Sequence, residues 1–280
     1  MPALLFAALL LAGCATERAK PDLPYPAFVD TAEIEEQFLA ALPGVRARVF
    51  ASDARTRALS SRVDIPPDWK GTTGGEPGLA LEIYVLAGQL NFSDIELGPG
   101  GYAYVPPGSM GFRLVSDDGA QVLYFLNEVE ERTVIRSPII LDSGLLPWEE
   151  RGPGVYEREL RRDPGTGART WLVRVTPEAR FQWAASSVEQ EGYLVSGQFL
   201  GSECAQGEPV GWEYLPGGYF RRPAGVLSGG PDAAATAEST WFLRELTEGT
   251  VSALPACVAS AAPEEVDEAE PSRDTFGDSF

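Results

Sequence analysis

The chain has 280 residues, 44% of them apolar, enough for two ordinary domains with packed cores. A formal net charge of −19 excludes nucleic acid as a partner, because phosphate binding needs clustered Lys and Arg, and disfavours anionic lipid headgroups for the same reason. There is no histidine anywhere, so Ser–His–Asp and Cys–His catalysis both lack their base.

At the N-terminus, Ala3–Gly13 is apolar for eleven residues. That is short of the roughly 20 a membrane-spanning helix needs, but suits the core of an export signal. The stretch "LAGC" at Leu11–Cys14 resembles the bacterial lipoprotein box, in which the cysteine is lipidated and becomes the mature N-terminus. Ala15 after it, rather than Asp, resembles outer-membrane sorting, so the expected address is the periplasmic face of the outer membrane. Residues 1–13 are then the signal, and 14–29, with three prolines and no apolar period, an extended tether. From Asp30 a capping-box pattern with Glu33, followed by Ile34, Phe38, Leu39 and Leu42 at helical spacing, predicts one short helix ending at Pro43-Gly44.

Beyond it the chain repeats itself. "PGVRARVFASDARTRALSSRV" from Pro43 lines up with "PGVYERELRRDPGTGARTWLVRV" from Pro153. "EIYVLAGQL" from Glu82 meets "EGYLVSGQF" from Glu191, and "PGGYAYVPPG" from Pro99 meets "PGGYFRRPAG" from Pro216. Offsets near 109 to 117 mark two homologous units, expected over residues 30–146 and 147–256. Short segments rich in Val, Tyr, Phe and Leu, separated by Gly/Pro turns, predict antiparallel strands in both. Residues 257–280 form an acidic tail expected to be disordered: Pro263–Phe280 holds seven acids against Arg273. With Cys14 committed to lipid, Cys204 and Cys257 remain as a candidate disulfide in an oxidising compartment.

The spacing of Glu82 and Gly88, then Gly100, Pro106 and Gly108, resembles the two motifs of the cupin superfamily. Glu191, Gly197, Gly217, Pro223 and Gly225 repeat it. The resemblance covers about Pro43 to Leu246 and is greatest to two-cupin chains. It implies an all-β bicupin of tandem double-stranded β-helix, or jelly-roll, barrels. In that family histidines flank the motif glutamate and bind a metal. Here those positions hold Gly75 to Gly78, Gly111, Ala185 to Val188 and Ser228. A histidine-built metal site cannot form, so no cofactor is expected and metal-dependent activity is not carried over.

The family pattern and strand parity place Glu82 and Glu191 on the concave barrel faces, where a buried carboxylate needs a partner. Tyr84, Tyr102 and Tyr104 have the parity to surround Glu82; Tyr193, Tyr219 and Arg221, with Trp183 nearby, would surround Glu191. Of Arg221 and Arg222, one must point inward. The leading expectation is a metal-free envelope lipoprotein that binds a small organic ligand or an envelope partner, as monomer or homodimer, touching the membrane only through its lipid. One alternative is a cofactor-independent isomerase or lyase using Glu82 or Glu191 with a tyrosine as acid and base. Another is a degenerate scaffold.

Overall fold

The structure is a computed structural model and describes residues 19–258. The signal segment, Cys14 and the acidic tail beyond residue 258 lie outside the described residues.

Two jelly-roll barrels follow one another. In the first, a seven-stranded sheet runs in the order Ile139–Asp142, Gly101–Val105, Leu79–Gly88, Ala120–Glu128, Ala58–Ile65, Arg46–Asp53, Glu36–Phe38. A four-stranded sheet (Trp69–Thr73, Phe112–Ser116, Leu90–Phe92, Ile95–Leu97) faces it. The second barrel repeats the plan within one continuous hydrogen-bonded sheet built around the sixteen-residue strand Gln190–Ala205. That strand pairs along its length with Ala234–Glu245, Gly218–Arg222 and Glu208–Tyr214. The duplication holds at its tightest point. Gly88 and Gly197 both have positive φ, and a Cβ on either would collide with backbone of the facing strand, at Gly119 and Glu238 respectively.

The predicted helix from Asp30 to Leu42 is a correction. Asp30 does cap a helical turn, its carboxylate accepting from the Ala32 amide at 2.8 Å, but the turn is a 3-10 turn of three residues, Thr31–Glu33. Glu36–Phe38 then enters the first sheet as an edge strand. Ile34, Phe38, Leu39 and Leu42 fit a helical period, but Leu39 and Leu42 are buried in the first barrel while Phe38 is left exposed. The tether reading is corrected as well. Leu23, Tyr25, Ala27 and Phe28 pack into the second barrel, and Val29–Asp30 pairs with Tyr219 and Gly218.

The corresponding segment before the second unit does the reverse. Ile139–Asp142 pairs with the first barrel, and Asp142 caps a second 3-10 turn, Ser143–Leu145, by accepting from the Gly144 amide at 2.7 Å. Each unit therefore sends its leading segment across to its neighbour. The Thr31 amide bonds the Gly217 carbonyl, and the Ser143 amide bonds the equivalent Gly100 carbonyl.

Three cores result. Leu81, Ile83, Val85, Ala103, Val105, Leu114 and Tyr124 fill the first barrel, where the Tyr124 and Thr73 hydroxyls share a 2.8 Å hydrogen bond. Phe28, Leu194, Tyr214, Phe220 and Trp241 line the second. Between the barrels, Tyr84, Tyr102, Tyr104 and Phe125 of the first pack on Leu172, Tyr193, Tyr219 and Phe242 of the second. Cys204 and Cys257 are joined by a disulfide with 5.4 Å between Cα atoms.

Candidate functional site

Glu82 and Glu191 are not inside the barrels. On strand Leu79–Gly88 the odd residues Leu81, Ile83 and Val85 face the barrel core, and the even ones face the other barrel. Both faces of the strand are buried, so alternation says which residues share a face and not which face is concave.

At 0% exposure, Glu82 is enclosed by donors from both units. Arg161 Nη2 donates to Oε1 at 2.8 Å, the Thr170 hydroxyl to Oε2 at 2.7 Å, and the Tyr102 hydroxyl to Oε2 at 3.3 Å. Arg244 Nε stands 3.5 Å from Oε2. Burial alone would raise the Glu82 pKa, but the Arg161 and Arg244 charges and the Thr170 hydrogen bond outweigh it, and the carboxyl is held below its ordinary range. Glu191 accepts from the Tyr219 hydroxyl at 2.6 Å and from Arg244 Nη1 at 2.8 Å. Arg244 thus clamps one motif glutamate of each unit, with its guanidinium 3.9 Å above the Phe125 ring centroid. Arg161 lies over Tyr104 in the same way, at 4.6 Å.

The other predicted site residues divide between this interface and the surface. Tyr84 packs on Phe242, and Tyr193 and Tyr219 pack on Phe50, all between the barrels. Arg221 stands opposite Glu191 in strand register but makes no hydrogen bond to it; its Nε donates to Glu189 at 2.8 Å. Trp183 is buried against Gly230, away from both glutamates. The structure therefore brings Glu82, Tyr102, Tyr104, Glu191 and Tyr219 together, at the junction of the barrels.

Arg222 is the inward member of its pair. Its Nε donates at 2.7 Å to Glu203, a carboxylate at 0% exposure that also accepts from the Tyr25 hydroxyl at 3.3 Å. Burial pushes the Glu203 pKa up, and Arg222 opposes that without cancelling it. Beside this pair, in the second barrel, lies a cavity of about 220 Å³. Phe181, Phe199, Phe220 and Trp241 give it aromatic walls, and Tyr214 and Arg222 give it polar edges. Sequence reasoning passed over Glu203, Arg161, Arg244 and Asn127. Only the adjacent arginines carried a signal, since strand alternation requires one of them to face in.

Among the described residues no group of three His, Cys, Asp or Glu side chains could hold a metal ion. The residues present do not fit the metal of a histidine-bearing cupin. No histidine exists, and both motif glutamates are turned away from the barrel interiors and held by arginine.

No family model matches the chain, and no curated protein matches it. Solved structures do. A Nostoc punctiforme protein provisionally assigned as a dioxygenase is 20% identical, with a TM-score of 0.64, over 84% of this chain and 89% of its own. Escherichia coli YlbA is 16% identical with a TM-score of 0.63, over 78% of this chain and 89% of its own. A mutant of Bacillus subtilis oxalate decarboxylase is 13% identical with a TM-score of 0.58, over 81% of this chain and 78% of its own. At such identities the likeness is one of fold, and the fold is that of the cupin-type proteins: two jelly-roll barrels in a single chain.

Proposed function

We propose that this chain is a metal-free binding protein whose second barrel takes a small, flat organic molecule. The observation that carries the reading is the asymmetry of the two interiors. The first is filled by aliphatic side chains, by Trp69 and Phe92 and by the Tyr124–Thr73 pair, whereas the second keeps a cavity with aromatic walls beside the Arg222–Glu203 pair. Apolar walls with a few fixed polar groups suit a ligand with an aromatic or alicyclic body and one polar substituent in reach of Arg222. The acid–base alternative loses its support at Glu82, because a carboxylate held by three hydrogen-bond donors and the Arg244 charge, and sealed from solvent, cannot reach a substrate proton. The scaffold alternative accounts for the first barrel but leaves the second cavity unexplained. With the lipoprotein-box resemblance at Leu11–Cys14, the reading puts this binding function on an envelope lipoprotein facing the periplasm.

The test uses 1-anilinonaphthalene-8-sulfonate as the probe, titrated by fluorescence. Wild-type protein is expected to bind it saturably at one site. Ala184→Phe, which fills the cavity from strand Trp183–Ser186, should weaken binding about tenfold or more. Non-saturating binding, or an affinity unchanged in Ala184→Phe, would overturn the reading.

A further inference from the structure

A second cavity, of about 330 Å³, lies where the barrels meet, a size within the range of small-molecule sites. Arg244 lines it at 2% exposure and Asn127 at 7%, and each has a polar atom with no hydrogen-bond partner among the described residues, Arg244 Nη2 and Asn127 Nδ2. Buried N–H donors left unmade are costly, and the side chains that carry these two line a space large enough for a partner. The partner must bring acceptor oxygens.

Its charge follows from the surroundings. Arg244 is already shared by Glu82 and Glu191, so an anion would be the third negative group around one guanidinium. Arg221 is the other cation lining the cavity, and Glu189 holds it. Asp53, Glu128 and Glu130 stand at the exposed rim as hydrogen-bond acceptors. The required ligand accepts hydrogen bonds at the floor, donates them at the rim and carries no negative charge. Hydroxyl groups do both.

From this geometry we infer that the inter-barrel cleft is a binding site for an uncharged polyhydroxylated molecule of sugar size. Its hydroxyl oxygens accept from Arg244 Nη2 and Asn127 Nδ2, and its O–H groups donate to the rim carboxylates. The site is separate from the second-barrel cavity and stands or falls independently of it.

Calorimetric titration with methyl α-glucoside, N-acetylglucosamine and maltose tests the inference, with glycine and acetate as charged controls. At least one sugar should bind saturably to wild-type protein. Asn127→Ala, which removes a floor donor, and Ala58→Trp, which fills the cleft without touching its polar groups, should each weaken that sugar about tenfold or more. Ala184→Phe should leave it unchanged. Circular dichroism confirms that each variant is folded. The inference is overturned if no sugar saturates, if glycine or acetate binds more tightly than every sugar, if either cleft variant retains wild-type affinity, or if Ala184→Phe abolishes binding.

Discussion

Glu82 shows how one side chain can serve the fold while occupying a motif position associated with chemistry. Replacing it with Gln leaves Arg161 and Arg244 buried with one counter-charge fewer. Breaking a buried pair in that way costs roughly 3–5 kcal/mol. Glu82→Gln should therefore lower the urea-unfolding free energy by about that amount at pH 7. The pH dependence has a definite sign. Because the folded-state pKa of Glu82 lies below its unfolded value of about 4.3, its contribution is complete above that value and is lost as pH falls through the folded one. The gap between wild type and Glu82→Gln should shrink below about pH 4. A gap under about 1 kcal/mol at neutral pH, or one that widens in acid, would show that the carboxylate is not the counter-charge described.

The exchanged leading segments are the least expected elements. Val29–Asp30 with its 3-10 turn and Ile139–Asp142 with its own are related by the duplication: "VDTA" and "LDSG" share the capping aspartate, and each docks on the unit that does not follow it. That second Asp-Ser/Thr pair was a readable signal, since Asp ahead of a short polar turn is a cap wherever it recurs. Phe28 is the anchor on the second-barrel side. It is buried, its amide donates to the Tyr214 hydroxyl at 3.0 Å, and it adopts φ of 54°, which a bulky residue holds only when packing compensates. Phe28→Ala should destabilise the protein by about 3 kcal/mol in urea unfolding, as large-to-small changes at buried aromatics do. A loss under about 0.5 kcal/mol would mean that the segment only lies on the barrel and is not part of it.

At the scale of the whole molecule, the buried charges and the exchanged segments tie the two barrels into one unit. Glu82 of the first barrel takes its partners Arg161, Thr170 and Arg244 from the second. The residues that family comparison would assign to chemistry here form the junction, and the cavities described lie beside it, one within the second barrel and one in the cleft between the barrels. The proposed envelope address is tested at this scale. With a net charge of −19 the chain has no electrostatic attraction to anionic lipid, so on the proposed reading attachment would depend on lipidation at Cys14. Cys14→Ser should move the protein from the membrane fraction to the soluble fraction on cell fractionation, and a variant still sedimenting with membranes would remove that reading.

The duplication, the all-β class and the impossibility of a histidine metal site were all legible in the residues, because each follows from local spacing or from composition. Which face of strand Leu79–Gly88 encloses a barrel was not. A strand buried on both sides presents the same period of two whichever way it is turned, and only the arrival of a second barrel against Glu82, Tyr84 and Tyr102 settles the orientation. Pairings across 79 to 88 residues, such as Glu82 with Arg161 and with Thr170, have no local signature either, since they arise when two separately patterned sheets dock. Local physical chemistry determined the barrels, and tertiary packing alone decided that their paired glutamates would join them together.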